Sequence, residues 1–301
     1  MYWQTTRFQI ELSAPKVMGI VNITPDSFSD GGEHDNTAAA LRHCEQLIRD
    51  GADILDIGGE STRPGAAPLS LADELTRVMP LVKEAVKLGI PVSVDTYKPQ
   101  VMQAVLDLGA DIINDVWALR WRDVDGLADA ARVVAGHPEC GVCLMHMHLE
   151  PQTMQVQPMQ GDVLPQVLSF LELSAQSLQG LGVEKARIVL DPGIGFGKTV
   201  AQNFSLLARQ AELLVAGYPL LAGWSRKSSL AGMAAHADQG TKLAPYERLA
   251  PSLAAALCAV QQGASIVRVH DVKETVQVLR VLDAITSARL THVNSKGFSQ
   301  S

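Results

Sequence analysis

Cysteine is scarce in this chain, which has four cysteines in 301 residues. Four thiols are too few for a disulfide framework in a chain of this length. Cys140 and Cys143 form a C-x-x-C pair, but no second pair follows that could complete a zinc site. We therefore expect reduced cysteines with a structural role, which is typical of a cytoplasmic protein.

Long apolar runs and an excess of positive charge are also missing. Although 47% of the residues are hydrophobic, no run approaches the ~18 residues that cross a membrane. Residues 1–12 show no basic segment followed by an apolar core, so we expect no signal peptide. The net charge of −7 argues against a nucleic-acid partner. A few local cations would still suffice to bind a small anionic substrate.

Short apolar runs rich in β-forming residues alternate with amphipathic segments from Val17 onwards. This alternation predicts an α/β protein whose parallel strands close into a (β/α)8 barrel. An open doubly wound sheet is the alternative, because one sequence does not reveal strand order. Strands are predicted at 17–24, 54–58, 91–95, 112–116, 141–147, 187–191, 219–225 and 265–270, and helices at 37–50, 71–88, 99–108, 127–135, 164–181, 202–215, 248–261 and 272–288.

The length allows two domains, but barrels of this size form a single domain, and we predict one over residues 1–290. Residues 1–16 alternate between apolar and polar, which predicts a short β-ribbon on the outside of the barrel. Residues 149–161 are rich in Gln, Met and Pro and are expected to be loose. The polar tail over 291–301 is expected to fray.

Polar or charged residues stand at the carboxyl end of nearly every predicted strand. They are costly to bury inside apolar runs unless they find partners. One such residue could be a turn cap, but many at the ends of parallel strands predict a shared site at the mouth of the barrel. They are Asn22, Asp56, Asp95, Asn114, Asp115, His146, Asp191, Ser225, Arg226, Lys227, Arg268 and His270.

Asn22 stands where the first barrel strand becomes a polar loop, in the stretch VMGIVNITPDSFSDGG over residues 17–32. Its amide oxygen suits a Mg²⁺ ion that keeps most of its waters and takes its other ligands from a substrate phosphate. The alternative is that Asn22 and Asp26 only cap a turn.

Eight short blocks carry a family resemblance: NITPDSFSDGG (22–32), DIGGESTRPGA (56–66), VSVDT (92–96), INDV (113–116), LMHM (144–147), LDPGIGFGK (190–198), SRKS (225–228) and RVHDV (268–272). In these blocks the sequence resembles the dihydropteroate synthases, pterin-binding barrels of folate biosynthesis. The resemblance implies a transferase that condenses 7,8-dihydropterin-6-ylmethyl diphosphate with p-aminobenzoate, giving 7,8-dihydropteroate and diphosphate.

The resemblance also implies which residues hold each part of the substrates. The catalytic residues would be Asn22, Asp95, Lys227 and Arg268. The pterin is expected at Asp95, Asn114, Met145, Asp191 and Lys227, the diphosphate at Asn22, Thr62, Arg268 and His270, and p-aminobenzoate at Phe28, Thr62, Arg63, Pro64, Phe196, Ser225 and Lys227. Mg²⁺ held by Asn22 is the expected cofactor, and a homodimer is the expected assembly.

The residue types suit these roles. A diphosphate leaving group needs its charge neutralised as the C–O bond breaks, and Arg268 and His270 alternate onto the same face of one strand. A carboxylate such as Asp191 can bind the amide-and-amine edge of a pterin through two parallel hydrogen bonds. Asp95 could stabilise positive charge on the methylene carbon once diphosphate has left.

Two other functions fit a pterin-binding barrel. A corrinoid-linked methyltransferase would have no use for the SFSDGG, STRPG and SRKS blocks. A pterin-binding protein without activity would be expected to lose Asp95, Lys227 or Arg268, and all three are present.

Two further motifs point elsewhere. GIGFGKT over residues 193–199 resembles a P-loop, but Pro192 stands where the first glycine is required. His146 and His148 could begin a zinc site, but no matching third cluster follows.

Overall fold

The computed structural model describes residues 1–23, 33–60, 67–122, 129–151, 153–232 and 242–297. The strands are β1 (Tyr2–Gln4), β2 (Gln9–Glu11), β3 (Lys16–Asn22), β4 (Ile54–Gly58), β5 (Val92–Asp95), β6 (Ile112–Asp115), β7 (Gly141–Met145), β8 (Ile188–Asp191), β9 (Leu220–Ala222) and β10 (Ala264–Val269). The helices are α1 (Glu33–Arg49), α2 (Leu71–Ala85), α3 (Pro99–Asp107), α4 (Ala130–Gly136), α5 (Val163–Gly180), α6 (Val200–Ala208), α7 (Leu249–Gln261) and α8 (Val272–Gly297).

Within these described ranges, eight parallel strands close into a barrel in the order β10-β3-β4-β5-β6-β7-β8-β9. The ring is complete because β10 pairs with β9 on one side and with β3 on the other. The predicted (β/α)8 barrel is therefore confirmed, and the open doubly wound sheet is excluded. Parallel pairing brings the carboxyl ends of all eight strands to one end of the barrel.

Alternation along each strand separates two apolar layers. One face of each strand packs against the surrounding helices, as Val21, Ile57 and Val94 do. The other face fills the barrel interior, where Met18 and Ile54 belong to a separate cluster of fully buried side chains. Asn22, Asp56, Asp95, Asn114, Asp191 and Arg268 continue this inward-facing series toward the mouth, whereas Asp115 and His146 alternate to the other face.

The amino-terminal ribbon of β1 and β2 closes the opposite end of the barrel. Trp3, Ile10 and Leu12 join the interior cluster, and Trp3 is completely buried. The Trp3 indole Nε1 donates a hydrogen bond of 2.9 Å to the carbonyl oxygen of Arg187, just before β8. The predicted ribbon is confirmed as a separate two-stranded sheet outside the ring of barrel strands, and its apolar face covers the interior cluster.

Side-chain caps fix where several helices begin. Ser70 Oγ accepts a hydrogen bond from the backbone N–H of Asp73 at the start of α2. Thr199 and Gln202 form a reciprocal capping box at the start of α6. Asp129 caps α4, so that helix begins at Ala130 and not at the predicted residue 127.

Two other predicted helices have different bounds in the structure. The helix predicted over 202–215 is divided: α6 ends at Ala208 and a 3₁₀ helix follows over Gln210–Ala216. The last helix, α8, extends to Gly297, so part of the tail expected to fray is helical. The segment 149–161, expected to be loose, is anchored by the buried side chains of Met154 and Met159.

Candidate active site

Three of the predicted site residues, together with Gly58, form a continuous row at the mouth of the barrel. Asn22 of β3 is level with Gly58 of β4, Gly58 with Asp95 of β5, and Asp95 with Asn114 of β6. A Cβ atom on Gly58 would lie 3.8 Å from Asn22 Oδ1 and 3.9 Å from Asp95 Oδ2. Because glycine has no side chain, the amide oxygen and the carboxylate face the same space.

Arg268 reaches this row from the other side of β3 and joins two carboxylates. Its Nη2 lies 2.7 Å from Asp95 Oδ2, and its Nε lies 2.5 Å from Asp56 Oδ2. Asp56 also accepts hydrogen bonds from Ser93 Oγ at 2.6 Å and from Asn114 Nδ2 at 3.2 Å. Asp56 stands at the end of a predicted strand, but the sequence indicated no role for it.

Burial dominates the electrostatics of this group. It raises the pKa of the Asp95 carboxyl to about 7, although the Arg268 guanidinium opposes the shift. Burial alone would lower the pKa of Arg268, but Asp56 and Asp95 raise it above its ordinary value. Arg268 is therefore a permanent cation, whereas Asp95 can gain or lose its proton near neutral pH.

A second part of the site lies at the ends of β7, β8 and β9. Asp191 pairs in register with Met145, and its Oδ1 accepts a hydrogen bond of 2.7 Å from the backbone N–H of Gly193. Burial raises the pKa of Asp191 and lowers that of Lys227 to about 8, and each of the two charges opposes the other's shift. Lys227 also interacts electrostatically with Arg268 and Asp95, which joins the two parts of the site.

An apolar wall stands beside these charges. Phe196 and Met145 belong to a buried cluster at the carboxyl end of the barrel, together with Met147, Met154 and Val116. The Lys227 ammonium lies 4.4 Å from the centroid of the Phe196 ring, on its π face. The arrangement offers a flat apolar surface next to a cation, as an aromatic carboxylate requires.

Ser225 and His270, which the resemblance assigned to different substrates, form one unit. Ser225 Oγ lies 2.9 Å from His270 Nδ1 and accepts a hydrogen bond of 3.1 Å from the His270 backbone N–H. The two side chains thus connect the segment after β9 with the end of β10, and each restricts where the other can point.

Lys198 anchors the loop after β8, a role that the sequence pattern does not indicate. Its Nζ donates to the carbonyl oxygens of Gly193 at 2.8 Å and Phe196 at 3.2 Å, and lies 2.9 Å from His146 Nδ1. Burial lowers the pKa of Lys198 to about 7 and that of His146 to about 2. His146 is therefore an uncharged partner of this loop, and its lysine contact explains its position better than a zinc pair with His148.

A buried ion-pair network holds the first residues after β4. Lys98 Nζ bonds to Glu60 Oε2 and, at 2.5 Å, to Glu74 Oε2 of α2. The Tyr97 hydroxyl donates a further bond of 3.0 Å to Glu60 Oε1. Of the residues in this network, only Glu60 lies in one of the motif blocks, the one over 56–66. Thr62, Arg63 and Pro64, which follow it, and Phe28 lie outside the described residues.

Among the described side chains, Asn22 offers an oxygen that could bind the expected Mg²⁺ ion. Among the residues that the structure describes, no group of three or more His, Cys, Asp and Glu side chains could hold a metal. A single amide oxygen from Asn22, facing the open space beside Gly58, suits an ion whose other ligands are water and phosphate.

The chain is similar to known proteins over most of its length. Residues 18–270 match the family model described as pterin binding enzyme. A dihydropteroate synthase of Escherichia coli K12 is 46% identical over 281 residues, covering 93% of this chain and 95% of that protein. The Burkholderia cenocepacia dihydropteroate synthase, solved with 7,8-dihydropteroate, is 46% identical with a TM-score of 0.83, covering 96% and 98% of the two chains.

A third similar protein was solved with a different ligand. The Xanthomonas albilineans dihydropteroate synthase, solved with 4-aminobenzoic acid, is 43% identical with a TM-score of 0.84, covering 95% of this chain and 99% of that one. A closed barrel with polar groups at its mouth and this family match define a pterin-binding transferase. The chain belongs to the pterin binding enzyme family, and its relatives identify it as a member of the dihydropteroate synthases.

Proposed function

We propose the following division of the dihydropteroate synthase reaction among the described side chains. In this reaction 7,8-dihydropterin-6-ylmethyl diphosphate and p-aminobenzoate give 7,8-dihydropteroate and diphosphate. The observation that carries the proposal is the Arg268 guanidinium, which is paired with Asp95 at the mouth and lies within electrostatic range of Asp191 and Lys227. An anion site thus lies beside a site for a heterocycle.

Asp191 binds the amide-and-amine edge of the pterin ring. Its Oδ1 is held by Gly193, so the carboxylate has a fixed orientation, and its Oδ2 faces Gly223, where no side chain intervenes. Asn114, Lys227 and Asp95 bind the remaining ring heteroatoms. Met145, level with Asp191 on the neighbouring strand, packs against the ring.

Charge neutralisation drives the departure of diphosphate. The bond between the methylene carbon and the diphosphate oxygen breaks, and both electrons leave with the oxygen. Arg268 and His270 stabilise the negative charge that develops there, as preorganised donors do in other transferases, and Asn22 would contribute through the Mg²⁺ ion that it holds. The Asp95 carboxylate stabilises the positive charge left on the methylene carbon.

The second substrate then supplies the nucleophile. The amine nitrogen of p-aminobenzoate donates its lone pair to the methylene carbon, forms the C–N bond and releases a proton to solvent. Phe196 and Lys227 provide its flat wall and cation, and Ser225 is a hydrogen-bond donor for its carboxylate. We also assign Phe28, Thr62, Arg63 and Pro64 to this slot and Thr62 to the diphosphate, on the resemblance alone.

Asn22 would hold the Mg²⁺ ion, which when bound supplies positive charge to the diphosphate oxygens. The measurement is diphosphate release by purified protein before and after treatment with EDTA. Activity should disappear with the chelator and return with added Mg²⁺. Unchanged activity in EDTA would remove the metal from the proposal.

The assignment to Asp95 is tested with Asp95→Asn, which keeps the shape and removes the charge. Because the charge is needed mainly after the C–O bond breaks, kcat should fall about 100-fold or more while the Kd for the pterin diphosphate changes less than about fivefold. Asn114→Ala is the matched control, because it should weaken pterin binding more than it lowers kcat. Equal losses of kcat and affinity in Asp95→Asn would contradict the assignment.

The overall reaction is tested by the dependence of diphosphate release on p-aminobenzoate. Release that needs both substrates, with 7,8-dihydropteroate formed in equal amount, is the expected result. Release without p-aminobenzoate would favour a hydrolytic reaction.

A homodimer and a cytoplasmic location are further proposals from the resemblance and the composition. No helix in the described ranges has the length and apolar character to cross a membrane.

A further inference from the structure

The Asp56 carboxylate lies inside the barrel with partners from three strands. It accepts hydrogen bonds from Ser93 Oγ of β5 at 2.6 Å and from Asn114 Nδ2 of β6 at 3.2 Å, and pairs with Arg268 Nε of β10 at 2.5 Å. One buried carboxylate therefore connects a residue assigned to the pterin with a residue assigned to the diphosphate.

Asp56 itself lies one layer below the mouth. It precedes Gly58 by two positions on β4, so both face the interior, and Gly58 is the residue level with Asn22 and Asp95. The Asp56 side chain has no exposed surface, whereas that of Arg268 is 21% exposed. Asp56 is thus too deep to contact a ligand at the mouth directly.

The geometry of Arg268 shows what the deeper carboxylate does. Asp56 binds Nε, at the base of the guanidinium, while Nη2 reaches Asp95 at the mouth. A guanidinium is planar, so fixing Nε fixes the directions of its Nη groups as well. Asp56 therefore sets the orientation from below and leaves the outer N–H groups directed at the mouth.

Stability alone is a weak explanation for this arrangement. The desolvation of a buried ion pair offsets most of its Coulombic attraction, and apolar replacements of similar size are often neutral. The hydrogen bond from Asn114 likewise contributes little net free energy to stability, but it determines which way the Asn114 amide points. Orientation of these two side chains is the larger effect.

We infer that Asp56 is a positioning residue of the reaction: it holds Arg268 toward the diphosphate and Asn114 toward the pterin without contacting either substrate. The inference rests on the roles proposed above for Arg268 and Asn114.

The test is Asp56→Asn, which preserves size and removes the charge. The KM for the pterin diphosphate and the Kd for inorganic diphosphate with Mg²⁺, measured by calorimetry, should each rise about tenfold, the effect typical of lost outer partners. The KM for p-aminobenzoate should change less than about twofold, since its proposed contacts lie on other residues. Unchanged KM and Kd values in a folded variant would overturn the inference.

Asp111→Asn is the matched control. Asp111 is also completely buried and pairs with an arginine, Arg7, at 2.6 Å, but it lies before β6 at the closed end of the barrel. Its replacement should lower the melting temperature and leave both KM values unchanged. If Asp56→Asn behaves in the same way, Asp56 is structural only.

Double variants separate failure of this inference from failure of the proposed roles. If Asp56 acts through its two partners, Asp56→Asn should no longer affect diphosphate binding in an Arg268→Ala background, nor pterin binding in an Asn114→Ala background. If each alanine variant has a clear effect but the effects in the double variants are fully additive, the inference is overturned and the proposed roles stand. Alanine variants without effect would overturn the proposed roles.

Ser93→Ala provides a second variant in case Asp56→Asn does not fold. It removes one hydrogen bond from Asp56 and leaves the carboxylate in place. The KM for the pterin diphosphate should rise about two- to threefold, in line with one hydrogen bond of about 0.5 kcal/mol. A KM equal to that of the unmodified protein would contradict the inference.

Discussion

The ammonium nitrogen of Lys227 lies 4.4 Å from the centroid of the Phe196 ring. This contact joins the loop after β8 to the segment after β9, and it places a cation against the apolar wall of the proposed p-aminobenzoate slot. The two residues are 31 positions apart in the sequence (227 − 196), and the barrel brings them together. Lys227 is therefore oriented by an aromatic face as well as by the charge of Asp191.

The first prediction concerns Phe196→Leu, which keeps an apolar side chain but removes the ring face. The KM for p-aminobenzoate should rise about fivefold, because a cation–π contact is worth about 1 kcal/mol at a partly buried site. Steady-state kinetics measure it at saturating pterin diphosphate. Phe204→Leu, whose ring packs against Trp224 at 5.5 Å, is the control and should leave this KM unchanged. Equal changes in both variants would argue against a specific slot at Phe196.

The second prediction is a bell-shaped dependence of kcat/KM on pH. Asp95 is active when ionised, so activity should rise with pH through its raised pKa of about 7. Lys227 is active when protonated, so activity should fall through its lowered pKa of about 8. The maximum should lie between these values. Lys227→Arg should remove the alkaline limb, because arginine keeps its proton there. An alkaline limb that survives in this variant would assign it to another group.

The third prediction compares two glycines with left-handed backbone. Gly193 has φ +68°, and a Cβ there would lie 1.8 Å from the carbonyl oxygen of His146. Gly161 has φ +70° with no atom within 4 Å of such a Cβ. Gly161→Ala should lower the free energy of unfolding by about 1–2 kcal/mol, the cost of the left-handed conformation. Gly193→Ala should cost clearly more in urea titrations, since the backbone must move.

The Gly193 variant should also weaken pterin binding, because the Gly193 N–H holds Asp191. Normal pterin affinity in Gly193→Ala would mean that Asp191 keeps its orientation without this bond. Equal stabilities of the two alanine variants would show that the loop after β8 yields to the clash.

The fourth prediction tests the closed end of the barrel. Trp3→Ala removes a completely buried side chain and should lower the free energy of unfolding by about 3–5 kcal/mol. Tyr2→Ala, its neighbour on β1 with half of its surface exposed, should cost less than about 1 kcal/mol. Urea unfolding midpoints give both values. A small loss for Trp3→Ala would mean that the ribbon is dispensable for closing the barrel.

The sequence predicted the barrel because short apolar runs rich in β-forming residues alternate with amphipathic segments along most of the chain. It also predicted that Asn22, Asp95, Asn114 and Arg268 stand together at one end of the barrel, since a strand's carboxyl end can be located within a few residues. The strand predicted over 141–147, for example, ends at Met145. Alternation then determines which side chains face inward, as for Asp56 and Arg268.

Partners within the site were less predictable. The Arg268–Asp56 pair joins residues 212 positions apart, and its existence depends on the stagger of the strands around the ring. The contact between Ser225 and His270 depends on the same stagger. Lys198 gave no periodic signal at all, because its partners are two backbone carbonyls of its own loop and His146, which follows β7. Such contacts require coordinates.

The buried indole of Trp3 bears on how ligands enter and leave the barrel. In the described ranges, apolar side chains fill the barrel interior below the polar layer and the ribbon covers them, so the polar layer is open to ligands at the mouth. Diphosphate must then depart through the same opening by which p-aminobenzoate arrives. Substrate binding and product release therefore use the same opening, and slow release of either product would delay the binding of the next substrates.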